Sequence, residues 1–190
     1  DHQIIYLQKL LEWSTRFHPE RIGALLARPV FCYANVPYRL RSFDKMLADP
    51  KNTIDFDETL AEDIARRVSE RGADGKLLLA DDGGVYRVNL VEKLLVPLLA
   101  KLSNLVVDGG VWMNTQRPEW NDANNALVGQ GVSMVTMNYL RRYTRFLTRL
   151  IPTNTQYAIS VEVADWVEET AAALDSVAAI VDGQNPVSDS

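Results

Sequence analysis

Cysteine is nearly absent from this 190-residue chain. Cys32 stands alone, so no intramolecular disulfide can form. No histidine lies near it in sequence, and it reads as a buried thiol rather than a nucleophile. The two histidines, His2 and His18, lack neighbouring cysteines and an H-x-x-x-H spacing, which leaves no zinc pattern. No apolar run approaches the roughly 18 residues that a membrane span requires. Gly83-Gly84 and Gly109-Gly110 open neither a P-loop nor a dinucleotide fingerprint, so nucleotide binding has no support. Excess positive charge is missing too. With 20 Lys and Arg against 25 Asp and Glu, the formal charge is -5. Neutralising phosphates needs clustered cations, which argues against nucleic acid as the main partner. No sequence period of about 20–50 residues repeats, which disfavours a solenoid. Metal and organic cofactor are both unimplied.

What is present suits one globular domain or part of a larger one: 47% hydrophobic and 24% charged residues. The chain opens Asp1-His2-Gln3-Ile4-Ile5 without Met, already in a helical pattern, and reads as a fragment of a longer polypeptide. Residues 183–190 are polar and turn-rich and read as a loose tail, leaving 1–182 as part of a single domain. A lone cysteine and no visible signal peptide point to the cytoplasm.

Helical periodicity dominates. It predicts a helix over 2–17, apolar around most of its circumference and closed by Pro19. An irregular connection follows, then a short helix over 43–47. A helix over 56–71 has Asp55 and Glu58 as its capping box, Gly72 after its end, and Glu62/Arg66 and Asp63/Arg67 as i,i+4 pairs. Residues 77–88 read as a β-hairpin around Asp81-Asp82-Gly83-Gly84, the one strand pair expected. A helix over 90–106 is capped by Asn89 with Glu92, and Pro97 inside it should kink it or split it in two. A long helix over 123–150 has an apolar stripe of Val132, Val135, Tyr139, Tyr143, Phe146 and Leu150, with Arg141, Arg142, Arg145 and Arg149 on its solvated side. The last helix spans about 161–181, burying Val163, Val167, Leu174, Ala178 and Val181.

The chemistry concentrates in the stretch from Arg117 through Glu119-Trp120-Asn121-Asp122 to Asn124-Asn125. Carboxylates, carboxamides, an indole and a guanidinium suit a sugar site. An aromatic face covers C–H groups, amides and carboxylates bind hydroxyls, and a carboxyl group can protonate a leaving glycosidic oxygen. Asp122 is the candidate proton donor. Glu119 close by would hold its proton through like-charge repulsion, and Trp120 would desolvate it in the same direction. A second reading stands beside this one: Asn121 or Asp122 also suits a helix N-cap. Asp1 heads an apolar helix, where the dipole alone favours a carboxylate.

Trp120-Asn121-Asp122 before a long helix resembles the W-N-D segment of the six-hairpin (α/α barrel) glycosidases, among them the cellobiose and chitobiose phosphorylases. Asp1-His2-Gln3 resembles their R-D-Q segment. The E-W-N-D-A-N-N run is similar to uncharacterised glycogen-debranching-like proteins. The resemblance spans 1–150 but is specific at these two places only. It implies a mainly α fold of consecutive helical hairpins in an incomplete α/α toroid, and Asp122 as the general acid. Asp1, Gln3, Arg117, Glu119, Trp120, Asn121 and Asn124 would contact an oligosaccharide or polysaccharide, and the remainder of a longer chain would complete the barrel. Glu119 stands where the phosphorylases have Asp, Ala123-Asn124-Asn125 follows the motif, and no phosphate-site motif is visible, which weighs against phosphorolysis while leaving both a glycoside hydrolase and a related phosphorylase open. An inverting hydrolase needs a second carboxylate roughly 6.5–9.5 Å away; Asp1, Glu119 or a residue beyond this chain would supply it. The alternative is a non-catalytic helical module that binds a glycan or a protein partner.

Overall fold

Seven α-helices and three small sheets are present among residues 2–113 and 129–178, which the computed structural model describes. At this coarse level the mainly helical expectation agrees with the structure. Contacts divide the chain into two compact units. The first comprises Asp1–Arg28, Asn89–Trp112 and Val132–Ser190; the second comprises Pro29–Val88 and Met113–Gly131. No helix among the described residues is long and apolar enough to cross a membrane.

The first unit is a helical bundle. Helix α1 (His2–Phe17) buries Ile4, Gln8 and Leu11. Pro19 does more than close it. Its missing N–H costs nothing at a helix start, and it opens α2 (Pro19–Ala27), which buries Ile22 and Leu26 where an irregular connection was expected. Helix α5 (Leu90–Leu102) is capped by Asn89, whose side chain accepts from the Glu92 amide at 3.0 Å. It packs against α2, α6 (Met134–Leu150) and α7 (Val161–Ser176), while α1 packs on α2 and α6. Buried Leu90, Val91, Leu94, Leu98 and Leu99 explain why Pro97 does not split α5: neighbours hold the helix where one backbone bond is lost. The Tyr143 hydroxyl donates to the Leu94 carbonyl at 3.0 Å in that same turn.

Three boundaries differ from expectation. Helix α5 stops at Leu102, and Leu105 enters β5 (Leu105–Val106), which pairs antiparallel with β6 (Gly110–Trp112). β6 also pairs with β7 (Val132–Ser133), so residues expected at the head of the 123–150 helix lie in a strand. Ser133 then caps α6 through its hydroxyl, which accepts from the Thr136 amide at 3.1 Å. The buried face of α6 is Thr136, Leu140, Tyr143 and Leu147, about one residue round from the predicted stripe; Val135 is 62% exposed. Helix α7 buries Val163, leaves Val167 and Leu174 half-buried and Ala178 exposed, and ends at Ser176. Val181 and the tail lie outside the described residues, as do 123–128.

The second unit is built from short pieces. Strand β1 (Phe31–Cys32) pairs with β4 (Arg87–Val88), and β2 (Tyr38–Leu40) pairs with β3 (Ile54–Phe56). The 77–88 segment folds back through a Leu79–Val85 bridge. It is also woven onto an earlier segment by an Ala34–Leu77 bridge and a Leu78 amide donating to the Tyr33 carbonyl. The expected hairpin is thus only an isolated bridge, its Arg87–Val88 end pairing with β1 instead, and the strands of two or three residues leave too little alternation to read. Helix α3 is Phe43–Ala48. Helix α4 (Glu58–Arg71) is capped by Asp57, which accepts from the Leu60 amide, whereas Asp55 lies in β3 and pairs with Arg41 at 2.8 Å. Arg67 meets Asp63 as expected, but Arg66 engages Asp63 and Glu70. Gly72 ends α4 with φ 71°, and a 3₁₀ turn, Gly72–Lys76, follows.

Candidate functional site

The stretch expected to carry the chemistry lies between two described anchors. The Met113 amide donates to the Gly131 carbonyl at 3.0 Å, and the Gly129 amide donates to the Met113 carbonyl at 2.6 Å. Gly129 sits at φ 71°, and a Cβ there would run into the Pro50 backbone. Left-handed φ and a touching backbone both require glycine. Arg117, Glu119, Trp120, Asn121, Asp122 and Asn124 lie outside the described residues, as does Asp1. Gln3 falls in the first turn of α1.

Two polar networks that sequence reasoning did not assemble join helices of the bundle. Gln8 is fully buried on α1. Its amide donates to Glu12 at 2.9 Å, and its carbonyl oxygen has no partner among the described residues. Arg142 of α6 donates to both oxygens of Glu12, at 2.9 and 2.5 Å. Burial pushes the Glu12 carboxyl up. Hydrogen bonds from Arg142 and Gln8, with the charges of Arg142 and Arg149, outweigh that and leave it below its ordinary value. The only sequence signal for this network is a glutamine interrupting an apolar run.

The second network joins α5 to α7. Glu92, 2% exposed, accepts from the Ser160 amide at 2.7 Å and from the Ser160 hydroxyl at 3.0 Å; the Asn89 amide donates to the Ala158 carbonyl at 2.6 Å. Glu92 thus occupies the N-terminus of α7, where backbone donors lack helical partners. Its carboxylate is spent on the fold.

A concave surface of about 630 Å³ lies in the second unit, its charged lining being Arg39, Arg41, Lys45, Asp55, Asp57 and Glu58. Three of these charges are engaged locally. Arg41 is held by Asp55, and by Asn52 once its amide is turned to face the guanidinium. Asp57 caps α4. Cys32 is half-buried in β1. No group of three or more His, Cys, Asp or Glu among the described residues could hold a metal ion. Neither a scan of protein-family models nor a search of curated proteins returns a match for this chain.

Proposed function

We propose that this chain is part of a carbohydrate-active enzyme that cleaves a glycosidic bond, with Asp122 as the general acid. The observation that carries the proposal is the occurrence of Glu119-Trp120-Asn121-Asp122, with Asn124, in a chain whose first residues are Asp1-His2-Gln3. Three features of the fold support it. The chain is mainly helical, and α1 already includes His2 and Gln3, in the segment where the resemblance expects a helix. Adjacent packing of α1 on α2 suits a helical hairpin. The α/α toroid is itself part of the proposal, since six hairpins need more helices than the seven described.

In this reading Asp122 donates its proton to the leaving oxygen as the glycosidic bond breaks. Water adds to the anomeric carbon, and a second carboxylate accepts the water's proton. Glu119 and Trp120 keep Asp122 protonated at neutral pH, by repulsion and desolvation. Asp1, Gln3, Arg117, Asn121 and Asn124 bind hydroxyls, and no metal or organic cofactor takes part.

Asp122→Asn tests the assignment in the full-length protein. A general acid contributes about 10²–10⁴-fold, so kcat on an unactivated disaccharide should fall by that factor. Thermal stability should hold, and substrates with activated leaving groups should be rescued preferentially. Asn caps a helix as well as Asp, so wild-type turnover in this variant would mean that Asp122 is only a cap. Binding of oligosaccharides without turnover of any would instead favour a non-catalytic module.

A further inference from the structure

Helix α1 has two apolar faces. Ile4, Gln8 and Leu11 point into the bundle, while Tyr6 (55% exposed), Leu10 (68%), Trp13 (59%) and Phe17 (59%) form a row on the opposite side. Their 4-3-4 spacing is that of a seam into which a second helix packs, and at 1.5 Å per residue the row runs about 16 Å. Trp13 and Phe17 stack on each other at 5.5 Å, with Arg16 lying 5.9 and 5.8 Å from the two rings. Their mutual stacking occupies faces that a sugar ring would otherwise cover.

The flank of this row toward α6 is cationic. Lys9 and Arg16 lie on that side of α1, with the Lys9 ammonium 5.8 Å from the Tyr139 ring of α6. Arg141, Arg142, Arg145 and Arg149 are exposed on α6, which has no acidic residue. Glu12 is the one carboxylate on these two helices, and Arg142 already engages it. Near the other flank stand half-buried Leu7 and Ser14. In a chain of charge -5 this is a local reversal of sign.

The geometry points to a docking surface on α1 and α6 for an amphipathic helix whose apolar seam is flanked by Asp or Glu. A second copy through the same row is disfavoured. Antiparallel pairing sets Lys9 and Arg16 against their own counterparts, and parallel pairing sets them against Leu7 and Ser14; neither supplies a carboxylate. A bilayer would meet both flanks of the row, whereas the cations lie on one. This inference does not depend on the glycosidase reading, because none of its residues belongs to the proposed sugar site.

The test uses the full chain and a labelled synthetic peptide of heptads, with Leu at the seam and Glu at the flanking positions, read by fluorescence anisotropy. The same peptide with Lys for Glu, anionic phosphatidylserine vesicles and sedimentation of the protein alone complete it. The Glu peptide should bind at least about tenfold more tightly than the Lys peptide, and binding should weaken with salt. Trp13→Ala/Phe17→Ala and Arg145→Glu/Arg149→Glu, all at exposed positions, should each weaken it at least about tenfold while leaving the circular dichroism unchanged. The proposal would be overturned by no binding of the Glu peptide, equal binding of both peptides, indifference to either double variant, or capture of vesicles alone. Self-association abolished by Trp13→Ala/Phe17→Ala would overturn it in favour of a second copy.

Discussion

The two units are held together by different means. The bundle buries Ile4, Leu11, Ile22, Leu26, five apolar residues of α5, and Leu140, Tyr143 and Leu147 of α6. Among the described residues, the second unit buries only Met46, Val88 and Met113 as apolar side chains. It relies instead on backbone pairing, on Asp57 and Gly72 at the ends of α4, and on exposed ion pairs such as Arg41–Asp55. Apolar burial is non-directional and scales with area, whereas exposed ion pairs contribute about 0–1 kcal/mol. Cooperative stability should therefore sit in the bundle, with local openings cheaper in the second unit.

The largest expected effect attacks the bundle. Leu94 is 1% exposed at the centre of α5, so Leu94→Ala should cost about 2–5 kcal/mol. Denaturant titration would measure the loss, and hydrogen exchange should show bundle amides losing more protection than those of the second unit. Equal loss in both would break the contrast. Next comes a backbone contact in the second unit. A Cβ on Gly75 would stand 2.5 Å from the Arg67 carbonyl carbon and oxygen and from the Val68 nitrogen. Gly75→Ala should cost about 1–3 kcal/mol as overpacking, read as faster exchange along α4 and its 3₁₀ turn.

The third change has the opposite sign. Gly23 lies inside α2, and a Cβ there would meet nothing within 4 Å. Gly23→Ala should raise stability by about 0.5–1 kcal/mol, since glycine is the poorer helix former. The smallest effect concerns pH. The folded state holds Glu12 below its ordinary value. Its contribution is therefore present above the unfolded pKa and lost as pH falls through the lowered folded pKa. Glu12→Gln should destabilise by less than any of these shifts at neutral pH, because Arg142 is 53% exposed and solvent screens the pair. The gap to wild type should close in acid; a constant gap across that range would remove the electrostatic explanation.

Legibility follows the same division. α1, α4, α5 and the Asn89 cap were readable because three-to-four-residue periodicity and cap chemistry are local. Asp57 displaced Asp55 as the α4 cap because Asp55 was claimed by strand pairing with Arg39 and by the ion pair with Arg41. The stripe of α6 was misplaced because Thr136, polar by name, is 1% exposed and bonded to Ser133. The motif at 119–122 is legible as chemistry. Gln8 with Glu12 and Arg142, and Glu92 with Ser160, were not legible, since their members come from different helices.

The sequence by itself determined that the chain is mainly helical, where most of its helices run, and which short stretch concentrates sugar-compatible chemistry. These depend on residue spacing and on side-chain type, both local properties. The tertiary structure decided which apolar face of α1 is buried and which is left in solvent. It decided that Pro97 sits inside an unbroken helix, and that Glu92 is spent on the N-terminus of α7. The physical reason is shared: burial and pairing depend on partners far along the chain, and a helix with two apolar faces carries no local mark of which face its neighbours will cover.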